Sequence, residues 1–161
     1  MAFAKELEKV KEFYHISLTR YGFANKYLDA IQKKYPQSND GKAFFIGEEE
    51  PKVGSLDYGG FKTTVGEFRT SIDKHITILI NNCIILLVSL WENYSRQHSL
   101  KQYYDDYITE VILYRNCIVH NNGIIDQKYV NKSKLKRYGV GDKLDFSETD
   151  FRTFLKYFEG K

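Results

Sequence analysis

The chain has few of the residues on which disulfide-bonded and metal-binding proteins depend. Its 161 residues include only two cysteines, Cys83 and Cys117, and both lie in apolar stretches. That placement predicts reduced core thiols rather than a disulfide or a cysteine zinc site. The four histidines, at positions 15, 75, 98 and 120, show no HExxH or other paired metal-ligand spacing. We therefore expect no metal and no other cofactor.

A long hydrophobic run is also missing. The first residues pass directly into charged helical sequence, without the apolar core of a secretory signal. The most apolar stretch, residues Ile76 to Trp91, is interrupted by Asn81 and Asn82 and is short for a bilayer span. These features predict a buried helix in a cytoplasmic protein that has no membrane partner.

Proline is scarce, with only two residues, which leaves long stretches free to form helices. Apolar residues recur every three or four positions from Phe3 to Tyr35, which predicts one long amphipathic helix or two consecutive ones, with Gly22 as the bend and Pro36 at the end. A second long helix is predicted from about Thr64 or Phe68 to His98, and its middle, Cys83 to Val88, is apolar all round, which indicates burial on several sides. Between the two helices, residues 37–66 hold six of the 11 glycines, and β-like pieces at 43–46 and 62–65 suit a small hairpin. We expect a flexible insertion here.

The C-terminal half predicts two further helices. Asp105 and Asp106 mark the start of one over residues 107–119, and Ser147 with Asp150 forms the capping signal of the last. The last helix carries a core stripe of Phe151, Phe154, Leu155 and Phe158. The chain is therefore predicted to be a single domain, residues 1–161, folded as an all-α, up-and-down bundle of four or five helices.

The most informative stretch is Leu113–Asp126, which reads LYRNCIVHNNGIID. Arg115 lies in the middle of the predicted apolar face of its helix, which consists of Tyr107, Ile108, Val111, Ile112, Tyr114, Ile118 and Val119. A buried guanidinium is unfavourable unless a carboxylate or phosphate meets it. Glu92, on a polar line of the second long helix, is the candidate partner through a bidentate pair, and the alternative that it faces solvent stays open. Asn116 and His120 are four residues apart and share a flank rotated away from Arg115.

These residues resemble the motif of the HEPN superfamily, helical nucleotide-binding and RNase domains of prokaryotic toxins and defence systems. The family motif is an arginine, a polar residue, a few spacers and a histidine near a helix end, and Arg115 to His120 fits it with four intervening residues. The surrounding text from Tyr114 to Asp126 is similar to the stand-alone MAE-type branch. The resemblance implies a homodimeric endoribonuclease that leaves 2′,3′-cyclic phosphate and 5′-hydroxyl ends, with an antitoxin protein as a further partner.

The motif residue types suit that chemistry. His120 can serve as acid and base, Arg115 can clamp the phosphate, and Asn116 can orient the imidazole or hold a phosphate oxygen. One chain supplies only one such histidine, and positions 115 and 120 point about 140° apart on a helix. A two-fold dimer would bring two copies of each residue into one cleft.

A basic segment follows the motif. Residues 127–138 contain no acid and five bases, Lys128, Lys132, Lys134, Lys136 and Arg137. We expect either RNA contacts here or an ordinary solvated surface. Two alternatives to the enzyme also stay open. One is a non-catalytic HEPN-like nucleotide- or RNA-binding or adaptor module, with Arg115 in a structural ion pair, and the other is a helical interaction protein with a chance motif.

Overall fold

The computed structural model of the protein describes residues 2–36, 44–46, 61–100 and 104–161. The helices of these ranges are α1 (Ala2–Lys34), α2 (Val65–Gln97), α3 (Asp106–Asn121), α4 (Gln127–Lys132) and α5 (Glu148–Glu159). Strands β1 (Phe44–Ile46) and β2 (Phe61–Thr63) lie between α1 and α2. The predicted all-α helical bundle with an insertion after the first long helix is confirmed.

The insertion carries the small antiparallel hairpin that its sequence suits. Phe44 pairs with Thr63 and Ile46 with Phe61. The second strand ends there because Thr64 and Glu67 exchange hydrogen bonds in a capping box that starts α2. The predicted flexibility of residues 37–66 falls largely on positions 37–43 and 47–60, which lie outside the described residues.

The chain divides into two compact units, residues 18–76 and residues 1–17 with 77–161. The smaller unit has its own core of Leu28, Val65 and Ile72, and α1 continues through Gly22 as one helix. The single-domain prediction for residues 1–161 stays a prediction.

Aromatic rings hold the larger unit together. Trp91 of α2 packs edge-on against Phe3 of α1 at 5.3 Å and against Phe158 of α5 at 5.5 Å between ring centroids. Tyr14 of α1 meets Phe151 of α5 at 4.7 Å. The high aromatic content of the sequence is therefore used at least in part for helix packing.

Local capping determines where α3 and α5 begin. Asp105 caps α3, and its carboxylate also accepts hydrogen bonds from Tyr157 and, at 2.8 Å, from Lys161. Burial opposes the charged form of Asp105, but the hydrogen bonds from the Ile108 amide, Lys161 and Tyr157 outweigh it and lower the pKa to about 2. The predicted capping box of α5 is present, and all four residues of its predicted stripe are buried.

Helix α2 is long and apolar enough to cross a membrane if only length and composition are considered. The core helix of a soluble protein passes the same test. The predicted burial of residues 83–88 on several sides agrees with the fully buried Ile84, Leu87 and Val88, whereas Leu86 is 45% exposed.

Candidate functional site

The motif lies on α3, and the buried face of this helix differs from the predicted one. Val119, placed by the periodicity on the apolar face, is 48% exposed, whereas Glu110 is 1% exposed. The buried residues of the helix are Ile108, Glu110, Val111, Leu113, Tyr114 and Cys117. Glu110 is covered by Tyr129 and Ser133, whose hydroxyls donate to its carboxyl group, and the Tyr129 ring lies 5.9 Å from that of Tyr114.

Arg115 contacts Glu92, as the sequence predicts. Its Nη2 atom lies 2.5 Å from Glu92 Oε2. The prediction of a bidentate pair is wrong, because a single nitrogen–oxygen pair is in contact. The Arg115 Nε atom is buried without a partner among the described residues. The side chains are 20% and 33% exposed, so this ion pair is only partly buried.

His120 lies away from this ion pair, at the end of α3. It is exposed and lines a cavity of about 170 Å³ that Asn116 also lines, one helix turn earlier. The full lining is Leu113, Asn116, Cys117, His120, Asp126, Lys128, Tyr129 and Lys132. Arg115 does not line this cavity, so within one chain the predicted catalytic residues divide into two places, as the 140° separation implies.

The chain turns sharply after His120, and this turn places α4 across the cavity. Asn122 and Gly123 take the left-handed conformation, with φ of 52° and 77°. Backbone hydrogen bonds then join Ile125 to Asp142 and Leu144 to Gly123. The tight chain reversal requires residues that tolerate positive φ, which explains the Asn-Asn-Gly text of the motif.

Asp126 follows the turn and was not predicted as a site residue. Its carboxylate caps α4 by accepting from the Tyr129 amide at 2.7 Å, and it also accepts from Asn121 Nδ2 at 2.8 Å. These two hydrogen bonds lower the pKa of Asp126, so a carboxylate stands in the cavity beside His120, Lys128 and Lys132. An Asp just before a short polar stretch is an N-cap signal that could have revealed α4.

Glu110 is the second residue that sequence reasoning missed. Its carboxyl group accepts a hydrogen bond from the Tyr129 hydroxyl and another, at 2.7 Å, from Ser133 Oγ. Burial, followed by the hydrogen bond to Glu110, raises the pKa of Tyr129 to about 12. Both partners of Glu110 belong to α4 or its C-cap, so this buried carboxyl ties α4 to α3.

The basic segment is divided by the fold into residues that reach the cavity and residues that do not. Lys128 and Lys132, both on α4, line it. Lys136 donates to the Val130 carbonyl oxygen, and the Arg137 guanidinium lies 6.0 Å from the centre of the Tyr107 ring. Lys134 is exposed and does not line this cavity. The predicted RNA-binding set is therefore brought together only in part.

Comparisons of the chain with models of known protein families, with curated proteins and with solved structures find no match. The family resemblance accordingly rests on the residues of the motif.

The cavity beside His120 combines groups that suit a small anion. The ammonium groups of Lys128 and Lys132 outnumber the single Asp126 carboxylate and can attract a phosphate, and the Asn116 amide can donate to one of its oxygens. The thiol of Cys117 is a poor nucleophile here, because burial raises its pKa.

Proposed function

We propose that this protein is a metal-independent endoribonuclease of toxin or phage-defence type, active as a homodimer. The observation that carries the proposal is the exposed His120 at a small cavity shared with Asn116, Lys128 and Lys132. A histidine next to a small cavity lined by two lysines and one aspartate is an arrangement that suits a proton-transfer step at a phosphodiester.

In the proposed reaction the 2′-hydroxyl of RNA attacks the adjacent phosphate, and the 5′-oxygen leaves. One imidazole removes the 2′ proton while a second donates a proton to the leaving oxygen, so two histidines are required. Lys128 and Lys132 would balance the added charge on the pentavalent phosphate, and Asn116 would orient the imidazole or hold a phosphate oxygen. The products are a 2′,3′-cyclic phosphate and a 5′-hydroxyl.

A two-fold dimer would supply the second histidine that this reaction uses. It would also bring Arg115 of one protomer closer to His120 of its partner, which the helix geometry does not achieve within one chain. In such a cleft Arg115 would act as the phosphate clamp while Glu92 holds its guanidinium from behind.

The test is cleavage of a defined RNA by the purified protein in excess chelator. We expect cleavage to persist and the products to carry cyclic phosphate ends, because the proposed groups need no Lewis acid. Loss of cleavage in chelator with recovery in magnesium would contradict the proposal.

The second candidate is a non-catalytic HEPN-like nucleotide- or RNA-binding or adaptor module. The contact between Arg115 and Glu92 favours it, because an arginine already bound to a carboxylate has a structural role of its own. Binding of RNA without cleavage, by wild-type protein at neutral pH, would select this candidate over the enzyme.

The division of the basic segment gives a sharper test of RNA binding. Lys128→Gln with Lys132→Gln should reduce the slope of log affinity against log salt by about 1.4, since each phosphate contact of a single strand contributes roughly 0.7. The matched control is Lys74→Gln with Lys156→Gln, which removes the same charge from two exposed lysines outside the cavity and outside the basic segment. Filter binding of single-stranded RNA across a salt series measures both slopes, and equal changes in the two variants would show that the cavity lysines have no special contact.

A further inference from the structure

A second, larger cavity adjoins the one beside His120. Its volume is about 400 Å³, and the two cavities share Leu113, Asn116 and Lys132. The rest of its lining is Glu92, Arg96, Tyr104, Thr109 and Ile112. Ligand cavities of drug-like molecules start at roughly 300 Å³. By that scale the larger cavity can hold a nucleobase with its ribose, while the smaller one suits a phosphate group.

The lining of the larger cavity offers hydrogen-bonding groups of both kinds. Glu92 uses Oε2 for Arg115, and its Oε1 atom accepts no hydrogen bond from the described residues. Arg96 is exposed, and its guanidinium forms no ion pair within the described part of the chain. A carboxylate oxygen and a guanidinium fork therefore both remain available to a ligand.

The other walls suit the faces of a base. Ile112 and Leu113 are apolar, and the Tyr104 ring is held in place by a 2.5 Å hydrogen bond between its hydroxyl and that of Ser95. A fixed aromatic ring beside aliphatic side chains is a favourable surface for base stacking, which contributes about 1–3 kcal/mol per base in single-strand binding proteins.

We propose that this larger cavity is a base subsite that selects guanine, with the 3′-phosphate of the same nucleotide bound beside His120. Guanine presents O6 and N7 as adjacent acceptors for the Arg96 fork, and N1–H and N2–H as adjacent donors that can share the free Oε1 atom of Glu92. Adenine places an amine beside N7, and uracil has no two adjacent acceptors. Cytosine carries its N4 amine donor and its N3 and O2 acceptors on one short edge. Glu92 and Arg96 lie one helix turn apart, with about 5–6 Å between their Cβ atoms, so this pair suits a base whose donors and acceptors lie on two edges.

Direct binding of mononucleotides tests the subsite without any cleavage step. Isothermal titration calorimetry with the 3′-monophosphates of guanosine, adenosine, cytidine and uridine should give the tightest binding for 3′-GMP, by about tenfold. Arg96→Gln should remove that preference, and Arg20→Gln, an exposed arginine outside the cavity, should keep it. Equal affinities for the four nucleotides, a preference for cytidine, or a guanine preference that survives Arg96→Gln would overturn the proposal.

The role of the subsite in cleavage rests on the proposed function. Experiments can distinguish failure of the base subsite from failure of the ribonuclease activity. Sequencing of RNA fragments should show cuts on the 3′ side of guanosines. Cleavage without base preference, together with weak 3′-GMP binding, would remove the subsite and leave the ribonuclease. Selective 3′-GMP binding by a protein that cuts no RNA would remove the ribonuclease and leave the subsite.

Discussion

Replacement of His120 by alanine is expected to reduce RNA cleavage about a thousandfold and to change the free energy of unfolding by no more than roughly 0.5 kcal/mol. Acid–base catalysis by a positioned side chain typically contributes a factor of about 10² to 10⁴. His120 is exposed, and its side chain forms no hydrogen bond with the described residues. Its removal therefore leaves no buried group without a partner.

The measurement compares initial cleavage rates and thermal melts of the wild type, His120→Ala and His75→Ala. His75, on α2, is exposed like His120, but it lines neither of the two adjoining cavities. Its removal should therefore leave the cleavage rate unchanged. If His120→Ala keeps the wild-type rate, or if it unfolds the protein, the assignment of His120 as acid and base is wrong.

Replacement of Glu110 by alanine is expected to have the largest effect on stability, on the order of 3 kcal/mol. The substitution removes the acceptor for both the Tyr129 and Ser133 hydroxyls, which stay buried, and it leaves a cavity between α3 and α4. Because α4 carries Lys128 and Lys132, the same variant should also bind RNA more weakly than the wild type.

Glu92→Ala provides the matched comparison for Glu110→Ala. It too removes a carboxyl group with a partner on α3 or α4, but its ion pair with Arg115 is partly exposed, so solvent screens the interaction. We expect a loss of roughly 1 kcal/mol. Urea denaturation of both variants measures the difference, and a larger loss for Glu92→Ala than for Glu110→Ala would reverse the ranking of the two carboxyls.

Features set by local chemistry could be predicted from the sequence. The start of α5 at Ser147 depends on a capping box within four residues, and the end of α3 at Asn122 depends on residues that tolerate positive φ. The hairpin strands were predicted within one or two residues because the β-like pieces at 43–46 and 62–65 are local sequence patterns.

Features set by distant contacts were missed. Helix α4 has only six residues, too few for a periodic pattern, and its position depends on the Glu110 carboxyl 19 residues before Tyr129. The contact of Arg115 with Glu92 was predicted from the need to pair a charge, but its single nitrogen–oxygen geometry depends on how α2 and α3 pack. Periodicity alone also does not distinguish the exposed Val119 from the buried Val111 and Tyr114 of the same predicted face, because burial depends on how the helices pack.

The central claim is that the chain cuts RNA by attack of the 2′-hydroxyl at a site containing His120. The most direct measurement uses one RNA oligonucleotide in two forms, all-ribose and with a single 2′-deoxyribose at the nucleotide where the protein cuts. We expect cleavage of the all-ribose form and none at the substituted position, with cleavage elsewhere in the strand unchanged. Equal cleavage at that position in both forms, or no cleavage of either form, would contradict it.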